Sequence, residues 1–223
     1  MLGFARILKC SSPKNHNHMP KAKRLLVGIS GATGIIYGVR LLELLRETSV
    51  ESHLIVSRAA DLTRSHELAL SAKELRGLAT VHYAINDIGA AIASGSFRTM
   101  GMVIAPCSVR TLAEVASGVT STLLTRAADV TLKERRRLVL MVRETPLSGV
   151  HLRNMLTVTE YGAVVMPPAP AFYNRPESID EIVTNTVCRA LDLFDIDVGR
   201  LKRWGEDLTR GHPPDPEDTA GEY

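Results

Sequence analysis

A doubly wound parallel α/β sheet, covered by helices on both faces in three layers, is the fold class this sequence predicts. Apolar runs of strand length recur at 25–29, 53–56, 101–105, 138–142 and 163–166, and they are near-continuous, as strands buried on both faces are. Helix patterns stand between most of them, at 34–47, 108–116, 121–136 and 150–159, with a last one at 178–193. Residues able to meet a ligand, mostly hydroxyls, backbone donors and guanidinia, follow directly on the runs, where doubly wound sheets bind their ligands.

The first run, Leu25-Leu26-Val27-Gly28-Ile29, breaks into Ser30-Gly31-Ala32-Thr33-Gly34 and resumes as the helical Ile35-Ile36-Tyr37-Gly38-Val39-Arg40-Leu41-Leu42. Glycines let the backbone turn sharply and approach a ligand, and a helix start offers N–H groups and a positive dipole end to an anion, so a phosphate is the natural guest. The spacing is neither G-x-G-x-x-G nor a P-loop, which points away from NAD and ATP. Glycines present only for packing are the competing reading of this loop. Ser57 follows the second run. The third is followed by Pro106-Cys107-Ser108-Val109-Arg110-Thr111, in which Ser108 caps a helix. The fourth ends in Arg143-Glu144-Thr145-Pro146, and the fifth in a proline-stiffened loop, Pro167 to Pro176. The last helix opens with Ser178-Ile179-Asp180-Glu181, a capping box by pattern.

Composition bounds the function. The chain has 223 residues, 45% hydrophobic and 23% charged, enough for one α/β domain. A net charge of +3 with basic and acidic residues interspersed argues against a nucleic-acid partner, and no apolar run approaches the roughly 20 residues of a membrane span. Cys10, Cys107 and Cys188 have neither the spacing of a metal site nor the even count of a disulfide framework, so no metal is expected and a reducing compartment is. Residues 1–22 are basic and free of acids: a disordered leader, or a mitochondrial transit peptide in place of a cytoplasmic address. The folded domain is expected over 23–204 and a flexible tail over 205–223.

Gly31-Ala32-Thr33-Gly34, Ala105-Pro106-Cys107-Ser108, Arg126-Ala127-Ala128-Asp129-Val130 with Leu132-Lys133-Glu134-Arg135-Arg136, Arg143-Glu144-Thr145-Pro146-Leu147, His151 to Leu156 and Pro170-Ala171-Phe172-Tyr173, in that order, resemble the UbiX-type flavin prenyltransferases. They also resemble the Pad branch of that family, named for phenolic-acid decarboxylases. The resemblance implies a flavodoxin-like, Rossmann-like enzyme that transfers a dimethylallyl group from dimethylallyl phosphate to N5 and then C6 of reduced FMN. The product, prenylated FMN, serves a UbiD-type decarboxylase. It further implies that Gly31, Ala32, Thr33, Ser57, Ser108, Val109, Arg110, Thr111 and Arg143 bind FMN. Lys133, Tyr173 and Arg189 would hold the substrate phosphate, partly across the subunit contacts of a homo-dodecamer. Where relatives often have Met-Lys after the serine, this chain has Val109-Arg110 and keeps a cation.

Charge on the departing phosphate must be stabilised by preorganised cations, for which Lys133, Arg143 and Arg189 are candidates; without the resemblance Lys133 reads as part of a solvated run. Glu67 matches a family carboxylate near the flavin, suited to removing the C6 proton. Glu144 either orients Arg143 as an ion pair or manages protons, and Trp204 either covers the prenyl group or packs a C-terminal segment. Cys107 lacks an evident base and is not read as a nucleophile. A flavin-dependent cysteine decarboxylase shares this fold, but its early-helix histidine and P-x-M-N-x-x-M-W loop are missing here. A non-catalytic flavin carrier has no need of the second phosphate site that Lys133, Tyr173 and Arg189 imply.

Overall fold

The computed structural model describes residues 22–201 and residue 203. The leader, Trp204 and the tail therefore lie outside the described residues, apart from Ala22.

Six parallel strands form one sheet: β1 (Arg24–Ile29), β2 (Glu51–Val56), β3 (Val81–Tyr83), β4 (Gly101–Cys107), β5 (Arg137–Val142) and β6 (Val164–Val165), in the order β3-β2-β1-β4-β5-β6. Without the short edge strand β3 the order reads as that of flavodoxin, and with it as the Rossmann order. Among the described residues there are seven α-helices: α1 (Ile35–Arg46), α2 (Arg58–Glu67), α3 (Ala72–Gly77), α4 (Val109–Ala116), α5 (Leu123–Lys133), α6 (Gly149–Glu160) and α7 (Ile179–Asp192).

Alternation along the strands builds two cores. Leu25, Val27 and Ile29 of β1, Val103 of β4 and Val139 and Met141 of β5 face α1 and α7. Leu26, Met102, Ile104, Leu138 and Leu140 face α4, α5 and α6. The strands are apolar throughout because both faces are covered, giving the three layers expected.

The order of strands reverses between β1 and β4, so α1 and α4 leave on opposite faces and open a crevice between the strand ends. Two contacts hold that crevice. Ser30, 1% exposed, donates its hydroxyl to the Pro106 carbonyl at 3.0 Å and accepts from the Ser108 N–H at 2.7 Å, tying the loop after β1 to the loop after β4. A Cβ at Gly38 would lie 2.4 Å from the Ala105 carbonyl oxygen, so only glycine lets α1 sit this close to β4.

The structure adds three elements that the apolar pattern does not predict. Helix α2 buries only Ala60, so it has no apolar stripe; α3 has six residues; β3 has three, with Val81 and His82 exposed. The capping box at α7 is half formed. Ser178 accepts from the Glu181 N–H at 3.2 Å, but Glu181 reaches back to Glu177 instead of to the cap residue.

Candidate functional site

A cleft of about 650 Å³ lies at the carboxyl ends of β1, β2, β4 and β5, within the size range of small-molecule and cofactor sites. Its floor is the glycine loop, with Gly31, Ala32 and Thr33 on its wall. Three helices begin on it. Ser57 caps α2, accepting from the Ala60 N–H at 3.1 Å; Ser108 caps α4, accepting from Thr111; Thr122 caps α5, accepting from Thr125. Each cap leaves the first N–H groups of its helix without an intrahelical partner and aims a positive dipole end at the same space. Arg58, Arg110 and Arg143 line it too, Arg110 with its Nε donating to Glu114 at 3.0 Å. Ile85, Val109 and Leu124 supply apolar surface. Donors for a phosphate beside a flat apolar wall are the chemistry that FMN needs, so the residues present fit it.

Nine of the expected flavin residues, Gly31, Ala32 and Thr33 with Ser57, Ser108 to Thr111 and Arg143, therefore stand together here. Two details differ from expectation. The start of α1 does not offer its N–H groups to a ligand: the Glu67 carboxylate accepts from Gly34 at 3.0 Å and from Ile35 at 2.9 Å. Ser30, at the head of the loop, is buried and has its hydroxyl proton committed to Pro106, so it has no donor left for a phosphate. The helix starts that remain open to the cleft are those of α2, α4 and α5.

Glu144 shares the cleft but accepts from the Thr145 N–H at 3.0 Å, and makes no ion pair with Arg143 among the described residues, so the structural pairing weighed for it is not formed. Burial pushes the half-buried Tyr37 hydroxyl up, and the charge of Arg143 opposes that shift. The Cys107 thiol is pushed up to about 12 by full burial, so it carries no thiolate at neutral pH and is no nucleophile.

Eight residues that line the cleft are not among the sequence-based candidates: Arg58, Ala59, Ile85, Asn86, Glu114, Thr122, Leu124 and Thr125. Arg58 was findable, since it directly follows Ser57 at a strand end. Asn86 follows β3, a strand with no apolar run to announce it, and the two threonines open a helix far along the chain from any strand end.

Lys133, Tyr173 and Arg189 are not gathered at the cleft of their own chain. Lys133 ends α5, whose start is on the cleft, roughly 15 Å away at the helical rise; its ammonium pairs with Glu134. It lines a neighbouring cleft of about 600 Å³ that shares Glu114 and Thr125 with the first. Tyr173 lies in a 3₁₀ turn, Phe172–Asn174, and Arg189 lies on α7, paired with Asp192 at 2.5 Å.

A Cβ at Gly31 would meet the Ala59 Cβ at 2.3 Å. Gly31→Ala is expected to push the first turn of α2 outward, moving the Ser57 cap and Arg58, and to weaken flavin binding at least tenfold, the equivalent of about 1.4 kcal/mol. Flavin titration checks it; wild-type affinity would show that the loop and α2 are not in register with the ligand.

The Flavoprotein family model matches residues 13–201. Flavin prenyltransferase UbiX of Neisseria meningitidis is 57% identical over 182 residues, covering 82% of this chain and 96% of the relative. The chain belongs to the flavin prenyltransferase family. Among solved structures, AnUbiX (PadA1) in complex with FMN and dimethylallyl pyrophosphate superposes with a TM-score of 0.81 at 49% identity, covering 82% of this chain and 98% of that one. A dodecameric FMN-dependent UbiX-like decarboxylase from Escherichia coli O157:H7 gives 0.80 at 48% identity, covering 81% and 98%. The peptidyl-cysteine decarboxylase EpiD matches at 0.53 with 14% identity, a likeness of fold alone. The prenyltransferase assignment thus stands over the cysteine-decarboxylase alternative. Among the described residues no helix is long and apolar enough to cross a membrane, and no cluster of residues suits a metal ion.

Proposed function

We propose that this protein joins the dimethylallyl group of dimethylallyl phosphate to N5 and then to C6 of reduced FMN, releasing phosphate and prenylated FMN. The observation that carries this reading is the cleft itself, lined by three helix starts, by Arg58, Arg110 and Arg143 and by apolar Ile85, Val109 and Leu124, in a chain of the flavin prenyltransferase family. FMN, bound as a substrate, supplies the nucleophilic ring. The residues of this chain would bind its phosphate at the starts of α2 and α4 and at Ala32 and Thr33, with Arg143 in the same cleft as a cation and Ile85 and Leu124 excluding water.

Lys133, Tyr173 and Arg189 hold the prenyl phosphate. Their separation from the cleft in one chain supports a site completed by neighbouring subunits. Val150, Leu152 and Leu156 on α6, with Phe172 and Ile179, are exposed apolar side chains in the single chain, the kind of surface an oligomer covers, and the UbiX-like relative from E. coli O157:H7 is a dodecamer. A homo-dodecamer is the assembly we propose. A UbiD-type decarboxylase is the proposed recipient of the product, and the cytoplasm, where reduced flavin and the buried free thiols Cys107 and Cys188 persist, is the proposed compartment.

Lys133→Ala and Arg189→Ala are each expected to retain FMN and to slow turnover by roughly tenfold to a hundredfold, because a hydrogen bond to a charged group contributes about 1.5–3 kcal/mol. Loss of flavin with normal conversion of what stays bound would contradict these roles. The reading as a whole is tested by phosphate release: anaerobically, dimethylallyl phosphate should yield phosphate only when reduced FMN is present. Release without flavin, or none with it, would refute the reading, and the second outcome would favour a flavin carrier.

A further inference from the structure

We propose that Arg40 is a positioning residue for prenyl transfer: it locks the start of α7 against α1 and so fixes where Tyr173 and Arg189 stand. The Arg40 side chain is only 15% exposed and its guanidinium is spread over three partners. Its Nε donates to Glu43 at 2.9 Å on its own helix. Its Nη1 donates to one Asp180 oxygen at 3.1 Å and to the Thr184 hydroxyl, while Nη2 donates to the other Asp180 oxygen. Asp180 and Thr184 are four residues apart and share one face of α7, so a planar fork holding both fixes rotation and axial register together. The Arg40 guanidinium also holds the Asp180 carboxyl below its usual range.

Apolar contact does not fix register in this way. Val39 and Leu42 of α1 and Val183 and Val187 of α7 belong to one core, whose packing is non-directional, whereas hydrogen bonds are directional. The fork, by contrast, works at one spacing only.

The position of Asp180 matters because of what it is joined to. It lies in the first turn of α7, two residues after the Ser178 cap. Between that cap and the 3₁₀ turn carrying Tyr173 stand only Arg175, in the left-handed region at φ 48, Pro176 and Glu177. Such a short stiff link carries a shift of α7 directly into Tyr173, and Arg189 is on the same helix. At its other end, α1 begins at the glycine loop of the flavin cleft. Arg40 does not line that cleft and touches no substrate there. It places the Tyr173 turn, whichever protomer's flavin that turn serves.

This inference rests on the reading of Tyr173 and Arg189 as ligands of the prenyl phosphate. The test is steady-state kinetics at saturating reduced FMN on wild type, Arg40→Met, Arg40→Lys, Tyr173→Phe and the Arg40→Met/Tyr173→Phe double variant, with FMN affinity and Tm measured beside them. Arg40→Met should raise KM for dimethylallyl phosphate about tenfold at unchanged FMN affinity. Arg40→Lys, which keeps charge but not the fork, should recover part of the loss. The double variant should show a rise smaller than the product of the two single effects, the part beyond Tyr173→Phe alone passing through Arg189. An unchanged KM, an FMN affinity that falls in step, or effects that multiply in the double variant would overturn the proposal. Should Arg40→Met fail to fold, Asp180→Asn removes the charge from the exposed partner and is read by the same criteria. Absence of phosphate release from the wild type would remove the prenyltransfer reading and this inference with it; an active wild type with an unaffected Arg40→Met variant removes this inference alone.

Discussion

Thr33→Glu leaves a folded protein that no longer retains flavin. Thr33 is exposed on the wall of the cleft, between Ala32 and Gly34, so the larger side chain meets solvent and the fold bears little cost; surface changes of this kind usually stay within about 0.5 kcal/mol. The new carboxylate, however, stands where the starts of α2 and α4 draw a phosphate, and it competes for the same donors. Like charges brought together in a binding site cost several kcal/mol, and every 1.4 kcal/mol is tenfold in affinity, so FMN binding should weaken by roughly a thousandfold. Flavin content after purification and a fluorescence titration read the result directly. Wild-type retention would mean that the phosphate is held away from the glycine loop.

Glu67→Gln should separate the two bond-forming steps. Departure of phosphate needs cations and a hydroxyl near oxygen, whereas restoring the flavin's conjugation after the second bond needs a base near C6; a carboxylate serves only the second. Glutamine keeps the shape and removes the base. Positioned general bases contribute about 10²–10⁴-fold, so an N5-alkylated flavin of the final mass should accumulate and convert that much more slowly. The structure adds a second consequence. Both Glu67 oxygens accept from the start of α1, and an amide nitrogen cannot, so the variant should also lose roughly 1–3 kcal/mol of stability. A lower Tm together with the accumulated adduct fits both roles. A stall with unreacted FMN and intact dimethylallyl phosphate would move Glu67 to the first step or to folding, and leave Glu144 as the proton acceptor.

What the sequence made legible follows from burial. Strands β1, β4 and β5 are covered on both faces, so their runs are continuous and unmistakable, and the helices between them that bury a stripe were placed to within a few residues. Helix α2 and strand β3 bury almost nothing, so no periodicity marks them. The site divides on the same line. Residues that follow a clear strand, such as Thr33, Ser57, Ser108 and Arg143, are readable as ligand candidates because doubly wound sheets bind at strand ends, and they line the cleft. Asn86 follows the strand that periodicity misses. Lys133 and Arg189 sit in helices whose charges look solvated one chain at a time, and only the family resemblance picks them out. The role of Glu67 at the start of α1 was hidden for a different reason: it closes a contact across 33 residues of sequence, which no local pattern records.

The mass of the flavin after turnover tests the central claim most directly. Protein incubated anaerobically with reduced FMN and dimethylallyl phosphate should yield flavin heavier by one isoprene unit, C5H8, with phosphate released in equal amount. Flavin recovered at its original mass, with the prenyl donor intact, would contradict the account.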